Sequence, residues 1–416
     1  MSEWKTYKLC EVANLSTGFP FDGHKYAKEG QRVVRGDNVT IGALRWDTDK
    51  DKRWNEPFAR AEEFSLREGD IVIGMDGSRV GRNRAQIKAD DLPLLLAQRV
   101  ACVRHNEKSL QKFLYYQIFS KNFENYIKSV HTGTSIPHVS LKQIGDFSFQ
   151  VPDLSTQRRI AGILGSLDDK IELNRRINAN LEAQAQALFR SWFVDFEPFR
   201  DGPFVDSELG KIPASLKIEH IGNIPHKIES GKRPKGGASE HGIPSIGAEN
   251  IKGLGIYDYA KTKFIPEDFA STMKKGKING YELLIYKDGG KPGYFIPNFT
   301  IFGEGFPYKE MYINEHVFCL DFFDKGFNTF AYFYMRTPYI MNQLNTIGGK
   351  AAIPGINTKD IESLPIFTNE NEKVKEFGTL FLPTIKTILQ NCVENKTLSA
   401  LRDTLLPKLM AGEISC

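Results

Sequence analysis

Two aspartates and a lysine form the group in this sequence whose residue types most suggest catalysis. Asp153, together with Asp168 and Lys170 two positions apart, supplies the carboxylates and the amine with which nucleases hold Mg²⁺ and activate water. Such a site needs its acid-x-Lys pair on a strand, whereas Asp168 and Lys170 flank the apolar seam of a predicted long helix. A repeat of this segment carries Ile385 and Thr387 at the equivalent positions. The sequence therefore argues against a nuclease, which stays a rival hypothesis.

Other catalytic signatures are missing from the sequence. The segment Gly348-Gly349-Lys350-Ala351 lacks the upstream glycine and the hydroxyl residue of a phosphate-binding loop. An Asn/Asp-Pro-Pro-aromatic string, which would hold a base amine for methyl transfer, is also missing. The eight histidines show no metal-ligand spacing, and the five cysteines include no Cys-x-x-Cys pair. We therefore expect a chain that is not an enzyme and that itself binds no cofactor or metal.

Basic residues in glycine-containing loops indicate binding of nucleic acid. Loops of this type can place arginines on guanine edges and lysines on phosphates, although a single basic residue is more often solvated surface. The net charge of +4, from 55 basic and 51 acidic residues, permits an acidic partner without requiring one. The candidate DNA contacts are Arg79, Arg82, Arg84, Lys88, His138, Lys232, Arg233, Lys235, Lys287 and Lys291.

The sequence repeats itself after 217 positions. Asn174 and Asn178 recur as Asn391 and Asn395, and the same shift places Cys102 on Cys319. Further upstream the shift falls to 212, so that the Asp-Gly pair at 76–77 meets the one at 288–289. The pattern indicates a tandem duplication. Each copy begins with short β-rich runs and an aromatic helix, at about 109–129 and 327–345, whose spacing favours packing over base stacking.

Each copy ends in a long helix with the seam of a coiled coil. Apolar residues and asparagines recur at spacings of 3 and 4, as in Leu167, Ile171, Asn174, Asn178, Leu181, Ala185, Leu188 and Trp192. The second seam reads Ile388, Asn391, Asn395, Leu398, Arg402, Leu405 and Leu409. Pro383 is expected to kink or delay that second helix.

The seam asparagines predict how the helices pair. Buried amides are costly unless they face each other, and such a layer fixes the register of a coiled coil. Because both helices lie in one chain, the simplest arrangement is an intramolecular antiparallel pair. About 30 residues per helix would give a rod of roughly 45 Å, against roughly 34 Å for one turn of DNA. This predicts two modules that read a bipartite DNA site, although a coiled coil used only for dimerisation is an alternative.

Three segments carry a family resemblance. Residues 168–178 (DDKIELNRRIN) and 187–196 (ALFRSWFVDF) resemble the central repeat of the DNA-specificity subunit of type I restriction–modification enzymes, and residues 405–414 (LLPKLMAGEI) resemble its distal repeat. The order of the duplicated parts is similar over the whole chain. Arg402, at the position of Ala185 in the other copy, and Pro383 depart from the pattern.

The resemblance implies the organisation of the chain. The fold class would be mixed α/β (α+β), with two target-recognition domains, at 1–154 and 213–370, separated by two long helices in an antiparallel coiled coil of pseudo-twofold architecture. The central repeat helix would span 155–197, a linker 198–212 and the distal repeat helix 371–416. Asn174, Asn178, Asn391 and Asn395 would set the register.

The resemblance also implies partners. The chain would bind double-stranded DNA, two methyltransferase subunits and further restriction or translocase subunits, in the cytoplasm and without a membrane. S-adenosylmethionine, ATP and Mg²⁺ would be used by those partners. The candidate methyltransferase-docking residues are Phe189, Trp192, Phe193, Leu406 and Leu409. The rival from another class is a coiled-coil protein-interaction scaffold that binds no DNA.

Overall fold

The chain folds into two compact units. The computed structural model describes residues 4–58, 60–133, 137–289, 293, 295–350 and 354–414. Unit 1 comprises Met1–Asp169 with Ser399–Cys416, and unit 2 comprises Lys170–Leu398. Among the described residues, no helix combines the length and the apolar character that a membrane span requires.

The described residues of unit 1 form three small sheets. A four-stranded antiparallel sheet has the order Ala13–Thr17, Val100–His105, Ile71–Gly74, Arg84–Gln86. A three-stranded sheet has Gln31–Val34 at its centre, antiparallel to Arg53–Trp54 and parallel to Leu94–Leu96. Lys5–Lys8 pairs with Ser148–Val151. The strand residues of 71–74, 94–96 and 100–103 are buried, as β-rich apolar runs predict.

Unit 2 repeats these three sheets. Its four-stranded sheet has the order Lys227–Ser230, Val317–Asp321, Leu283–Tyr286, Phe299–Ile301. In its mixed sheet Ile243–Ile246 lies between Lys263–Ile265 and Tyr312–Ile313. Ile218–His220 pairs with Pro365–Phe367, and a separate hairpin joins Phe204–Ser207 to Gly210–Pro213. The same strand order in both units confirms the predicted duplication and the mixed α/β class.

The aromatic segment of each copy forms two helices rather than the single helix predicted. These are Gln111–Ile118 and Lys121–Val130 in unit 1, and Lys325–Tyr334 and Pro338–Gly348 in unit 2. Ser120 caps the second helix of unit 1 by accepting a hydrogen bond from the Phe123 amide, and Pro338 begins its counterpart. Tyr116 and Tyr332 are buried, so packing is their role, as predicted. Shorter helices are Leu9–Val12, Leu141–Gly145, Glu267–Thr272 and Thr358–Glu362.

Two long helices complete the fold, Leu154–Phe193 and Glu372–Met410. In unit 2 they run antiparallel, because Asn174 contacts Asn395, Asn178 contacts Asn391, and Phe189 contacts Phe377. The prediction that Pro383 delays the second helix is wrong, since that helix begins at Glu372 and continues through Pro383. Packing of its apolar face in the unit 2 core outweighs the local cost of the proline.

Candidate nucleic-acid interface

Unit 1 carries a cleft of about 620 Å³ where three loops meet. The loops follow Gln31–Val34, follow Ile71–Gly74 and precede Val100–His105. Glycines allow the loops to come together: Gly77 has a φ of +102°, and a Cβ on Gly18 would lie 1.9 Å from the carbonyl oxygen of Leu96. Sheet pairing thus brings side chains from residues 19 to 99 into one cleft.

Four arginines line this cleft, Arg35, Arg45, Arg79 and Arg99. The carboxylates of Asp37 and Asp76 also line it, together with the side-chain amides of Asn83 and Gln98 and the rings of Phe19, Phe21 and Tyr26. The surplus of guanidinium groups over carboxylates suits an anionic partner, and the amides and guanidinium groups are the side chains that read base edges.

Asp76 organises one wall of the cleft. Its Oδ2 accepts a hydrogen bond from Arg99 Nη1 at 2.8 Å, and its Oδ1 lies 2.5 Å from His138 Nδ1. Burial acts to raise the pKa of Asp76, but the hydrogen bonds from Arg99 and His138 outweigh it and hold that pKa below its ordinary value. The side chain therefore stays charged and fixes both basic partners.

Unit 2 has the same arrangement with different side chains. Asp288, at the position of Asp76, has its Oδ1 2.5 Å from Nδ1 of His316, which occupies the position of Arg99. The amide of Gly77 donates to the Pro137 carbonyl at 2.9 Å, and the amide of Gly289 donates to the Pro354 carbonyl at 3.0 Å. The smaller cleft beside this turn, about 300 Å³, is lined by Ala248, Glu249, Lys252, Tyr286, Gly289, Ile296 and Asn298.

The predicted DNA contacts of unit 1 separate into three environments. Arg79 lines the cleft, and His138 contacts Asp76, which also lines the cleft. Arg82 is exposed and its Nε lies 3.7 Å from Glu124 Oε1. Lys88 is exposed but does not line the cleft.

The prediction that Arg84 contacts DNA is wrong, because Arg84 is buried, with 7% of its surface exposed. Its guanidinium donates to the carbonyls of Gly81 at 2.9 Å and Phe119 at 3.3 Å, and lies over the rings of Phe119 and Phe123. Burial lowers the pKa of Arg84 to about 10. Its partners all belong to the interior of unit 1, so its role is to hold the loop against the aromatic helices.

The predicted contacts of unit 2 lie in two loops. Lys232 and Lys235 are exposed, and Arg233 Nη2 pairs with Glu315 Oε1 at 2.9 Å. Lys287 donates to the carbonyl of Glu315 at 3.2 Å and lies over the ring of Phe318. Lys291 lies outside the described residues.

Sequence reasoning missed three of the four cleft arginines, Arg35, Arg45 and Arg99. They do not cluster in the sequence, and each follows or precedes a different strand. The repeat itself could have located the cleft, because Gly36-Asp37-Asn38 aligns with Ala248-Glu249-Asn250. Gly36 and Asp37 line the cleft of unit 1, and Ala248 and Glu249 line that of unit 2.

The four seam asparagines meet as two pairs within unit 2. Asn174 Nδ2 donates to Asn395 Oδ1 at 2.9 Å and to Glu394 Oε2 at 2.7 Å. Asn391 Nδ2 donates to Asn178 Oδ1 at 2.8 Å. Asn174 is 1% exposed, so an unpaired amide there would be costly. The geometry is that of facing amide layers, and their control of register stays a prediction.

The candidate docking residues are mostly interior. Phe189 is fully buried in the core of unit 2 and Leu409 is 2% exposed in the core of unit 1, so these two cannot present a docking surface. Phe193 is 4% exposed in the core of unit 2, and its remaining surface lines an apolar groove of that unit. All three side chains pack in the core of their own unit. Trp192 and Leu406 are partly exposed, and Leu406 lines an apolar groove.

The residues of the rival nuclease site have structural partners. Asp153 accepts a hydrogen bond from the Thr156 amide at 2.9 Å and caps the first long helix. Asp168, fifteen residues and thus about 22 Å further along it, accepts from Tyr116 and pairs with Arg402, each at 2.7 Å. The two carboxylates do not converge. Burial acts to lower the pKa of Arg402, but hydrogen bonds to Asp168 and Asp403 outweigh burial and raise that pKa. The charged residue at this seam position is therefore neutralised by ion pairs.

Comparison with known proteins agrees with this arrangement. Residues 1–183 match the type I restriction modification DNA specificity domain. The type I restriction enzyme MjaIX specificity subunit of Methanocaldococcus jannaschii is 27% identical over 90% of this chain and 87% of its own length. The HindI specificity subunit of Haemophilus influenzae is 26% identical over the full length of both chains. The crystal structure of the type I S subunit from M. genitalium shares the fold, with a TM-score of 0.59 and 16% identity over 98% of this chain and 96% of that one. Over its whole length the chain thus resembles the DNA-specificity subunits of type I restriction–modification enzymes.

Proposed function

We propose that this chain selects the DNA target of its complex by reading a split, asymmetric site, with one half-site for each unit. The observation that carries the proposal is the pair of clefts at the same Asp-Gly turn, lined by different side chains. Base readout depends on the identity of the side chains that reach the base edges. Equivalent clefts with unlike linings therefore support two unlike half-sites.

We also propose that the paired long helices set the distance between the half-sites. A helical pair is a stiff element of fixed rise, 1.5 Å per residue. Insertion of one heptad at matched places in both helices adds about 10 Å and preserves the seam. The non-specific spacer should then lengthen by about three base pairs, at roughly 3.4 Å each, while both half-sites stay unchanged.

Two equivalent apolar grooves support docking of two methyltransferase subunits. The groove of unit 1, about 550 Å³, is lined by Gln117, Ser120, Met410 and Ala411 among others. The groove of unit 2, about 220 Å³, is lined by the residues 217 positions away: Tyr334, Thr337, Phe193 and Val194. Repeated surfaces suit two copies of one partner. The long helices also expose apolar side chains outside the grooves, those of Leu173, Ile177 and Leu401.

In this proposal catalysis belongs to the partners. Methyltransferase subunits would use S-adenosylmethionine, and restriction or translocase subunits would use ATP and Mg²⁺. The chain itself would contribute target choice and docking surfaces, without a reaction of its own.

Methylome sequencing tests target selection. In native cells, a split methylated motif should be present with the chain and absent after its deletion. The heptad variant should change the spacer of that motif. A methylome that is unchanged after deletion of the chain would refute target selection and favour the protein-interaction scaffold. An unchanged spacer in the heptad variant would refute only the role of the helices in setting the spacing.

Native mass spectrometry of the purified complex tests docking. We expect two methyltransferase subunits per chain, and one after Val194→Glu or Leu406→Glu, because each substitution places a charge in one groove. Val205→Glu, at an exposed apolar position outside the grooves, is the matched control and should leave two. Retention of both subunits by both groove variants would refute this location.

A further inference from the structure

Three arginines of the unit 1 cleft, Arg35, Arg45 and Arg99, differ in the contacts that they make within the protein. Arg35 lies over the ring of Tyr26, with its Nη2 3.9 Å from Asp37, and only 26% of its side chain is exposed. Arg45 donates to the Asp37 carbonyl at 3.3 Å and pairs with Asp47 at 3.2 Å. Arg35 is therefore packed against an aromatic ring, and Arg45 is bound to a carbonyl and a carboxylate of its own loop.

Arg99 combines exposure with a fixed position. Its side chain is 70% exposed, and within the described part of the chain its one hydrogen bond is from Nη1 to Asp76 Oδ2. The other carboxylate oxygen of Asp76 is bound to His138. The carboxylate thus anchors one corner of the guanidinium and leaves Nε and Nη2 unengaged.

An anchored guanidinium of this kind has a defined ligand chemistry. Two adjacent N–H groups match the O6 and N7 acceptors of guanine in the major groove, and bidentate contact requires that the fork be oriented. A carboxylate behind the arginine supplies that orientation and reduces the entropy lost on binding. In unit 2 the equivalent position carries His316, which has no such fork.

We propose that Arg99 reads a guanine in the half-site of unit 1 and that Asp76 is its positioning residue. This assignment rests on the proposed function. Unit 2 reads its half-site without a guanidinium at this position, so the guanine contact belongs to one half-site only.

A phosphate is the other DNA group that Arg99 could bind, and lysine distinguishes the two. Arg99→Lys keeps the positive charge and would retain a phosphate contact, but it loses the planar fork needed for guanine. Arg99→Ala removes both. Arg60→Ala is the matched control, because Arg60 is also 70% exposed and paired with a carboxylate, that of Glu63, but does not line the cleft.

The test replaces the chromosomal copy with each variant and reads the methylome, with duplex binding by the purified native complex as a second measurement. Arg99→Ala and Arg99→Lys should both relax one G·C position in one half-site, lowering discrimination there by roughly 5- to 150-fold, and should leave the other half-site unchanged. Asp76→Asn should relax the same position, which a merely structural role would not do. Arg60→Ala should keep the parental motif.

Several results would overturn the assignment. A parental motif in Arg99→Lys would indicate a phosphate contact. So would Arg99→Ala if it weakened DNA binding uniformly across sequences and made the salt dependence of the affinity shallower. An unchanged motif in Arg99→Ala, or parental half-sites without any G·C pair, would also refute it, while leaving the proposed function intact. A parental methylome with no split motif would refute the proposed function, and the assignment with it.

Discussion

Phe189→Ala distinguishes a core residue from a docking residue. Phe189 is fully buried, and its ring centroid lies 5.2, 5.5, 6.2 and 5.4 Å from those of Phe193, Phe330, Phe333 and Phe377. Replacing a buried phenylalanine by alanine costs about 3–5 kcal/mol, and the four aromatic neighbours of Phe189 lose their ring contacts with it. We expect unit 2 to lose about 4 kcal/mol of its free energy of unfolding.

The assay uses urea unfolding with 5-fluorotryptophan and fluorine NMR. Unit 2 contains one tryptophan, Trp192, and the other three, Trp4, Trp46 and Trp54, belong to unit 1. The Trp192 resonance therefore reports unit 2, and Trp192→Phe assigns it. With a slope of about 2.5 kcal/mol per molar urea, the midpoint of that resonance should fall by about 1.5 M.

The matched control is Leu173→Ala, on the same long helix but 51% exposed. It should change the free energy of unfolding by less than about 0.5 kcal/mol. Phe189→Leu, which retains most of the volume, should lose less than Phe189→Ala. A Phe189→Ala chain with an unchanged Trp192 midpoint that fails to bind methyltransferase would refute the core assignment and restore Phe189 as a docking residue.

Further predictions concern the loop, the seam, the cleft and DNA binding. Arg84→Ala should destabilise unit 1 by about 2–4 kcal/mol, because a buried and a partly buried carbonyl lose their donor, whereas Arg82→Ala should have little effect in the same urea titration. Asn174→Leu should alter the oligomeric state, measured by light scattering, or the spacer of the methylated motif, while changing the free energy of unfolding little. A variant with unaltered assembly and an unaltered target would count against the asparagine layer. The lowered pKa of Asp76 means that its stabilisation is present above its ordinary pKa, about 4, and is lost as the pH falls through the folded-state pKa. The stability difference between wild type and Asp76→Asn should shrink over that acid range. DNA affinity should fall by roughly 0.9 log units per log unit of salt for each phosphate neutralised, and salt-independent binding would contradict direct DNA contact.

The sequence by itself determined the elements that depend on local periodicity and on the repeat. Seam residues at spacings of 3 and 4 predict the long helices, and the facing asparagines predict antiparallel pairing, which unit 2 shows at Asn174–Asn395 and Asn178–Asn391. Helical faces are set by neighbours within one or two turns, so the sequence contains that information directly.

Tertiary structure decided which of the candidate residues are on the surface. Arg84 and Phe189 have the residue types and spacing of binding residues, yet the sheets and aromatic helices that cover them come from distant segments. The cleft depends on the same non-local pairing: the strands at 31–34, 71–74 and 100–105 bring Arg35, Arg79 and Arg99 together across 64 positions of sequence. Local patterns determine which face an element buries, but strand pairing between distant segments determines what covers that face and which loops meet.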